Sequence, residues 1–193
     1  YSPMRVEWTY SAFISNVRLD IHGGQVQEFS ADFKTNYGYR AVPIGNFDIE
    51  KFSKKRNPFN GPTVAFRKDA FIRLGGFPQI EANEDYCLWG SFIVNNFIAS
   101  NSPEVYAYMR GGQDLIFRRS TNSYRNGEVQ SLVYLRSIGL FNNIQFIRHI
   151  IVKQFVRRLP ISWISYIYSK FRVKEKEIIP HGLNALLKNF QDE

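Results

Sequence analysis

The stretch from Pro62 to Asn96 leaves a folding chain the fewest choices. A β-rich run, Thr63 to Phe66, gives way to a helical pattern from about Lys68 to Leu74, which the pair Gly75-Gly76 brings to an end. Glycine stops a helix because it enters the left-handed backbone region with no Cβ to clash. EDYCLWGSFIVNN then resumes helical spacing, with Asp85, Leu88, Trp89 and Phe92 at i, i+3, i+4 and i+7 and hence on one face. A strand and two helices in such close succession predict layered α/β structure.

The flanking sequence extends that reading. SPMRVEWTYSAFIS predicts a helix with Ser2 as N-cap, Pro3 at the first helical position, and Val6, Tyr10 and Phe13 recurring at helical spacing. From Asn16 to Phe33 the rhythm is that of strands, and His22-Gly23-Gly24 predicts a turn between two of them. Phe47 to Arg56 predicts a short helix with the basic end SKKR, and SPEVYAYMR predicts a strand leading into the polar segment GGQDLIFRRSTNSYRNG. From about Glu128 only helices are expected: VQSLVYLRSIG, NNIQFIRHIIVKQFVRRL up to Pro160, ISWISYIYSKFR, and LNALLKNF after a charged connector. Strands and helices first, then helices alone, suggest the end of an α/β domain with a helical appendage.

Charge and composition narrow the function classes. A net charge of +8 favours anionic partners: nucleic acid, anionic lipid head groups or the phosphates of a small substrate. The single cysteine, Cys87, excludes an internal disulfide framework and any multi-thiolate metal site, so it is expected to be a small apolar filler in a reducing compartment. His22, His149 and His181 are scattered without ligand spacing. No apolar run reaches the roughly 18 residues that a simple membrane-spanning helix needs.

Two readings of the acid pair stay open on spacing alone. Acids in a first helical turn complement the helix dipole, at roughly 0.3 to 1 kcal/mol each. That explains Glu84 better than Asp85, because Asp85 stands at the rim of the apolar stripe, where desolvation is costly without a partner or a task. A carboxylate at the edge of a cleft can instead take a proton from a hydroxyl nucleophile within hydrogen-bond reach.

PTVAFRKDAFIRLGGF, then EDYCLW, then VYAYMRGGQDLIFRRS, in this order and at these separations, resemble the second half of the catalytic domain of family 2 glycosyltransferases, inverting enzymes of the GT-A fold. The likeness is greatest to bacterial members that build capsule, lipopolysaccharide and other surface polysaccharides. It continues through RNPFNGPTVAFRK, FRRSTNSYRNGE, NNIQFIRHIIVKQFVRRLP and YIYSKFR, and so covers most of the chain. The resemblance implies an acceptor-side half of a GT-A domain over residues 1–120 and a helical C-terminal region over 121–193.

It further implies that Asp85 is the general base, that Glu84 supports it, and that Gly75 and Gly76 let backbone approach the acceptor sugar, with Trp89 on the acceptor side. A plain helix C-cap is the other reading of the two glycines. Arg118 and Arg119 would close over the nucleotide diphosphate, the alternative being a solvated basic pair. Gly61 stands where similar sequences often carry histidine, which removes any acceptor or metal role for that side chain.

The partners implied are a nucleotide-sugar donor and a saccharide or lipid-linked acceptor, in an enzyme of the cytoplasm or the inner face of the cell membrane. The family binds Mg²⁺ or Mn²⁺ through D-x-D, a motif that does not occur in this chain, and no glycine-rich phosphate loop occurs either. The chain also opens YSPMRVEW without an initiating methionine. It is therefore expected to be a piece that starts just downstream of the metal site and that transfers nothing alone.

The basic tail has two readings. Ile144, Ile147, Ile151 and Phe155 form a stripe interspersed with Arg148, Lys153, Arg157 and Arg158, which suits contact with anionic lipid head groups, aided by Trp163, Tyr166 and Tyr168. A helical cap over the catalytic domain is the alternative. Two rival functions are a non-catalytic docking subunit and a basic nucleic-acid-binding module. Charge alone supports the latter, and no nucleic-acid motif does, so no nucleic acid is expected as partner.

Overall fold

The computed structural model describes residues 1–29, 36–110 and 122–156, together with 159 and 163. The elements run α1 (Arg5–Ser15), β1 (Leu19–Phe29), β2 (Asn36–Arg40), α2 (Asn46–Ser53), a 3-10 turn (Gly61–Thr63), β3 (Ala65–Phe66), α3 (Lys68–Arg73), α4 (Glu84–Val94), β4 (Ile98–Arg110), α5 (Asn122–Ser137) and α6 (Asn143–Val156). This is the α/β class expected.

β1 is the axis of the sheet. It pairs in parallel with β4 from Leu19↔Ile98 to Phe29↔Arg110, and on its other edge antiparallel with β3 (Ile21↔Phe66) and β2 (Val26↔Arg40). Every residue from Ile21 to Phe29 is buried, as happens when a strand is flanked on both edges and covered on both faces.

The turn expected at His22-Gly23-Gly24 does not exist: the strand passes straight through. The glycines answer to close approach instead. A Cβ on Gly24 would lie 2.5 Å from the Tyr106 ring, and one on Gly23 would lie 2.5 Å from Asn101 Oδ1. The parallel register slips on both sides of Gln25. There the 60–63 turn serves the Gly24 backbone, with Thr63 Oγ1 accepting its N–H at 3.0 Å and Asn60 Nδ2 donating to its carbonyl at 3.0 Å. Glycine inside a strand commonly marks such a site.

α1 covers one face of this strand pair. Trp8 stacks on Tyr106 with ring centroids 5.7 Å apart, and Phe13 meets His22 edge-on. His22 is buried, with Nδ1 2.7 Å from Ser100 Oγ and Nε2 2.9 Å from Tyr106 Oη, and burial holds its pKa below the usual histidine value. Two expectations for α1 fail here. Val6 and Tyr10 are 76% and 67% exposed, because the stripe that docks is Trp8, Thr9, Ala12 and Phe13. The helix also starts two residues after Pro3. Ser2 closes the preceding turn, its hydroxyl accepting the Met4 N–H at 3.3 Å.

α4 covers the other face. Tyr86 to Phe92 are all buried, so this helix is enclosed all round rather than amphipathic. Leu88, Trp89 and Phe92 join Ile21, Ile49, Phe59, Ala70 and Ala99 in one core; Tyr86 and Cys87 join Leu132, Leu135, Leu140 and Phe141 in a second, under α5 and α6. α5 runs from Asn122, earlier than expected, and at Gly127 it lies against the Glu81-Ala82 backbone, where a Cβ would come within 2.7 Å of Ala82 N. No described helix is long and apolar enough to cross a membrane.

Gly24→Ala should therefore cost about 1 to 3 kcal/mol of stability, since the methyl must displace a buried tyrosine ring. Urea unfolding followed by tryptophan fluorescence measures this, and an unchanged midpoint would contradict the close-approach account.

Candidate functional site

Asp85 is held where three segments meet. The chain enters α4 through Asn83, whose backbone is left-handed (φ 59°) and whose side chain does not cap the helix. The Asn83 amide is engaged with α5 instead, 3.5 Å from Ser131 Oγ and 3.4 Å from Tyr124 Oη. Asp85 takes up the capping role in part, since its Oδ1 accepts the Tyr86 N–H at 2.6 Å. An anionic group at a helix N-terminus is favoured by the dipole and by the unpaired N–H groups there.

The second oxygen faces the 57–61 segment. Asn57 Nδ2 donates to Asp85 Oδ2 at 3.2 Å, while Asn57 Oδ1 accepts the Phe59 N–H at 3.1 Å, which fixes which end of the amide points at the carboxylate. Phe59 anchors this segment in the core against Trp89, ring centroids 5.9 Å apart. Gly61 lies directly beneath the carboxylate, where a Cβ would be 2.9 Å from Oδ2. Asp85 is half-buried and Glu84 is exposed. The arrangement is an oriented, partly desolvated carboxylate seated on bare backbone, a geometry suited to receiving a proton.

The floor under this corner is tied down by α4 and α6. The Tyr86 hydroxyl donates to the Ser53 carbonyl, and His149 Nε2 bonds the Lys54 carbonyl at 3.0 Å, so the last carbonyls of α2 find partners before the chain turns toward Asn57. Burial pushes the Tyr86 hydroxyl pKa up. Cys87 points away from Asp85, with Sγ 3.7 Å from the Ser131 carbonyl. Burial first, then the charges of Asp85 and Glu84, push its pKa up to about 12.

The remaining sequence-derived site residues divide. Gly75 (φ +80°) and Gly76 (φ +83°) end α3 in a Schellman arrangement: the Gly76 N–H reaches the Phe71 carbonyl at 3.1 Å and the Gly75 N–H the Ile72 carbonyl at 3.0 Å. The helix-cap reading accounts for both. Trp89 is 2% exposed, ringed by Phe59, Phe66, Phe77 and Phe92, and so forms the floor of the site and presents no face to a sugar. Phe77, 43% exposed and edge-on to Trp89, is the aromatic that reaches the surface here. Arg118 and Arg119 lie outside the described residues.

Asn57 is the residue that sequence reading missed. It stands 28 positions before Asp85, and no local signal links them. Among the described residues no group of three or more His, Cys, Asp or Glu could hold a metal ion.

Comparison with known proteins gives no matching family model and no matching solved structure. Three curated relatives do match. The chain is 34% identical over 166 residues to a UDP-Gal:alpha-D-GlcNAc-diphosphoundecaprenol beta-1,3-galactosyltransferase of Escherichia coli, covering 86% of this chain and 60% of the relative. It is 30% identical over 151 residues to an uncharacterized glycosyltransferase of Haemophilus influenzae (78% and 56%), and 30% identical over 173 residues to the amylovoran biosynthesis glycosyltransferase AmsE of Erwinia amylovora (88% and 63%). The chain thus spans 56–63% of the length of these relatives.

The geometry around Cys87 predicts that thiol reagents at pH 8 leave the native protein unmodified and label it only on unfolding. Prompt labelling of folded protein, read by mass spectrometry, would contradict the enclosed, protonated thiol.

Proposed function

We propose that this chain, a relative of bacterial glycosyltransferases, carries the acceptor side and the general base of an inverting, family 2 enzyme of the GT-A type. Asp85 Oδ2, oriented by Asn57 and seated over Gly61, is the observation that carries the reading. The acceptor is a saccharide or lipid-linked saccharide of a cell-surface polysaccharide, and the donor is a nucleotide sugar.

The chemistry follows from one displacement. As the acceptor hydroxyl oxygen forms its bond to the anomeric carbon, its proton passes to Asp85. The bond from that carbon to the diphosphate oxygen breaks on the opposite side, and the nucleoside diphosphate leaves with the electron pair, so the anomeric configuration inverts. The Asn57 donor keeps the carboxylate pointed in one direction until the hydroxyl arrives. Glu84, exposed beside it, is assigned a supporting contact to the acceptor. Arg118 and Arg119 are assigned to the diphosphate, where cations offset the charge gained by the leaving group.

Mg²⁺ or Mn²⁺ would supply further charge stabilisation at the diphosphate. No residue described here fits that ion: the chain has no D-x-D and no described acidic cluster, so no step is assigned to it. The parallel β1–β4 pair and the helices packed on its two faces are compatible with the GT-A assignment.

The test uses the complete gene product with radiolabelled nucleotide sugars and membrane-extracted or synthetic acceptors. Asp85→Asn should lower turnover by about 10² to 10⁴-fold, the usual cost of losing a general base, while donor binding and melting temperature stay near those of the parent. Gly61→Ala should also slow turnover with little loss of stability, because the new methyl pushes on a movable carboxylate. Full activity in the Asn variant would remove Asp85 from the role.

A further inference from the structure

The outer face of α6 is apolar and uncovered among the described residues. Ile144, Ile147, Ile151 and Phe155 recur at helical spacing and are 79%, 55%, 61% and 65% exposed. The opposite face does the packing: Phe146 and Ile150 lie on the Leu132–Phe141 cluster, the His149 ring lies tilted against Phe141, and Lys153 pairs with Glu128. Helix α6 is therefore apolar on two sides, and the described protein buries one of them. Exposed apolar stripes of this size mark interaction surfaces.

Charge identifies the occupant. Residues 129 to 174 contain eight Lys and Arg and no Asp or Glu, so this region alone accounts for the chain's net charge of +8 and the rest is balanced. Arg148 is exposed within the stripe, between Ile147 and Ile151. Trp163 adds an indole that is 63% exposed. A bilayer with acidic head groups offers both kinds of contact at once: a hydrocarbon boundary for branched aliphatic and aromatic side chains, and phosphates for the cations beside them.

We propose that the outer face of α6 docks on an anionic membrane surface, with Ile144, Ile147, Ile151 and Phe155 entering the head-group boundary and Arg148 among the phosphates. The contact lies on the surface, since no described helix is long and apolar enough to cross. It stands on exposure and charge and does not depend on the sugar-transfer reading. If that reading also holds, docking presents a lipid-linked acceptor to the enzyme at the interface where it resides.

The experiment is flotation of the complete gene product with vesicles of phosphatidylcholine alone or mixed with phosphatidylglycerol, at low and high salt. The protein should float with the anionic vesicles and be partly released by salt. Ile147→Gln combined with Ile151→Gln should weaken binding on the order of tenfold or more, with an unchanged circular dichroism melt. Arg148→Gln should weaken binding to anionic vesicles only.

Failure to float with either vesicle, or equal flotation of the double variant, would overturn the proposal. So would loss of a dimer in the double variant with flotation intact, which would make the face a contact between protein copies. Transfer to a water-soluble acceptor should survive the double substitution, so docking and catalysis are read separately.

Discussion

Everything near the acid pair depends on α4 being buried on all sides. Its residues from Tyr86 to Phe92 divide between two cores, one against the sheet and one under α5 and α6, so the helix can neither roll nor slide without opening one of them. An enclosed helix fixes its own N-terminus, and with it the backbone from which the Asp85 side chain extends. The same constraint explains why Trp89 belongs to the floor: a residue one turn from Asp85 on a helix buried all round has no surface to offer.

The 57–61 segment is positioned by a chain of polar contacts that starts in this helix. The Tyr86 hydroxyl meets the Ser53 carbonyl, His149 meets the next one, and the backbone released from α2 then carries Asn57 to the carboxylate. Helix C-terminal carbonyls need partners when buried; the Lys55 and Arg56 N–H groups serve the Phe52 carbonyl locally, and the Ser53 and Lys54 carbonyls find theirs on α4 and α6. Stability and site geometry thus rest on the same bonds. Asn60 binds the same turn to the strand system, through the Gly24 and Arg40 carbonyls.

The local parts of this fold were legible in the sequence. The β3–α3–Gly-Gly unit and α4 lie where Pro62 to Asn96 predict them, because strand run, helix period and glycine stop agree there and the contacts that decide them are short-range. Where two local readings compete, the pattern fails. Of the α1 stripe Val6, Tyr10 and Phe13, only Phe13 docks, against His22, and Tyr106, about a hundred residues away, brings Trp8 inward while Val6 and Tyr10 stay exposed. Gly23-Gly24 is written like a turn, yet it is a strand thinned to admit Asn101 and the Tyr106 ring.

The likeness to bacterial glycosyltransferases was readable from motif order, and the relatives bear it out over most of the chain. Sequence alone determined the class of structure, the acid pair at a helix start and the concentration of positive charge after residue 128, since each is carried by neighbouring residues. Tertiary structure alone decided which side chains stand around Asp85 and which face of α6 is left bare. Those outcomes depend on contacts between segments far apart in the chain, and no local propensity encodes the partner at the other end.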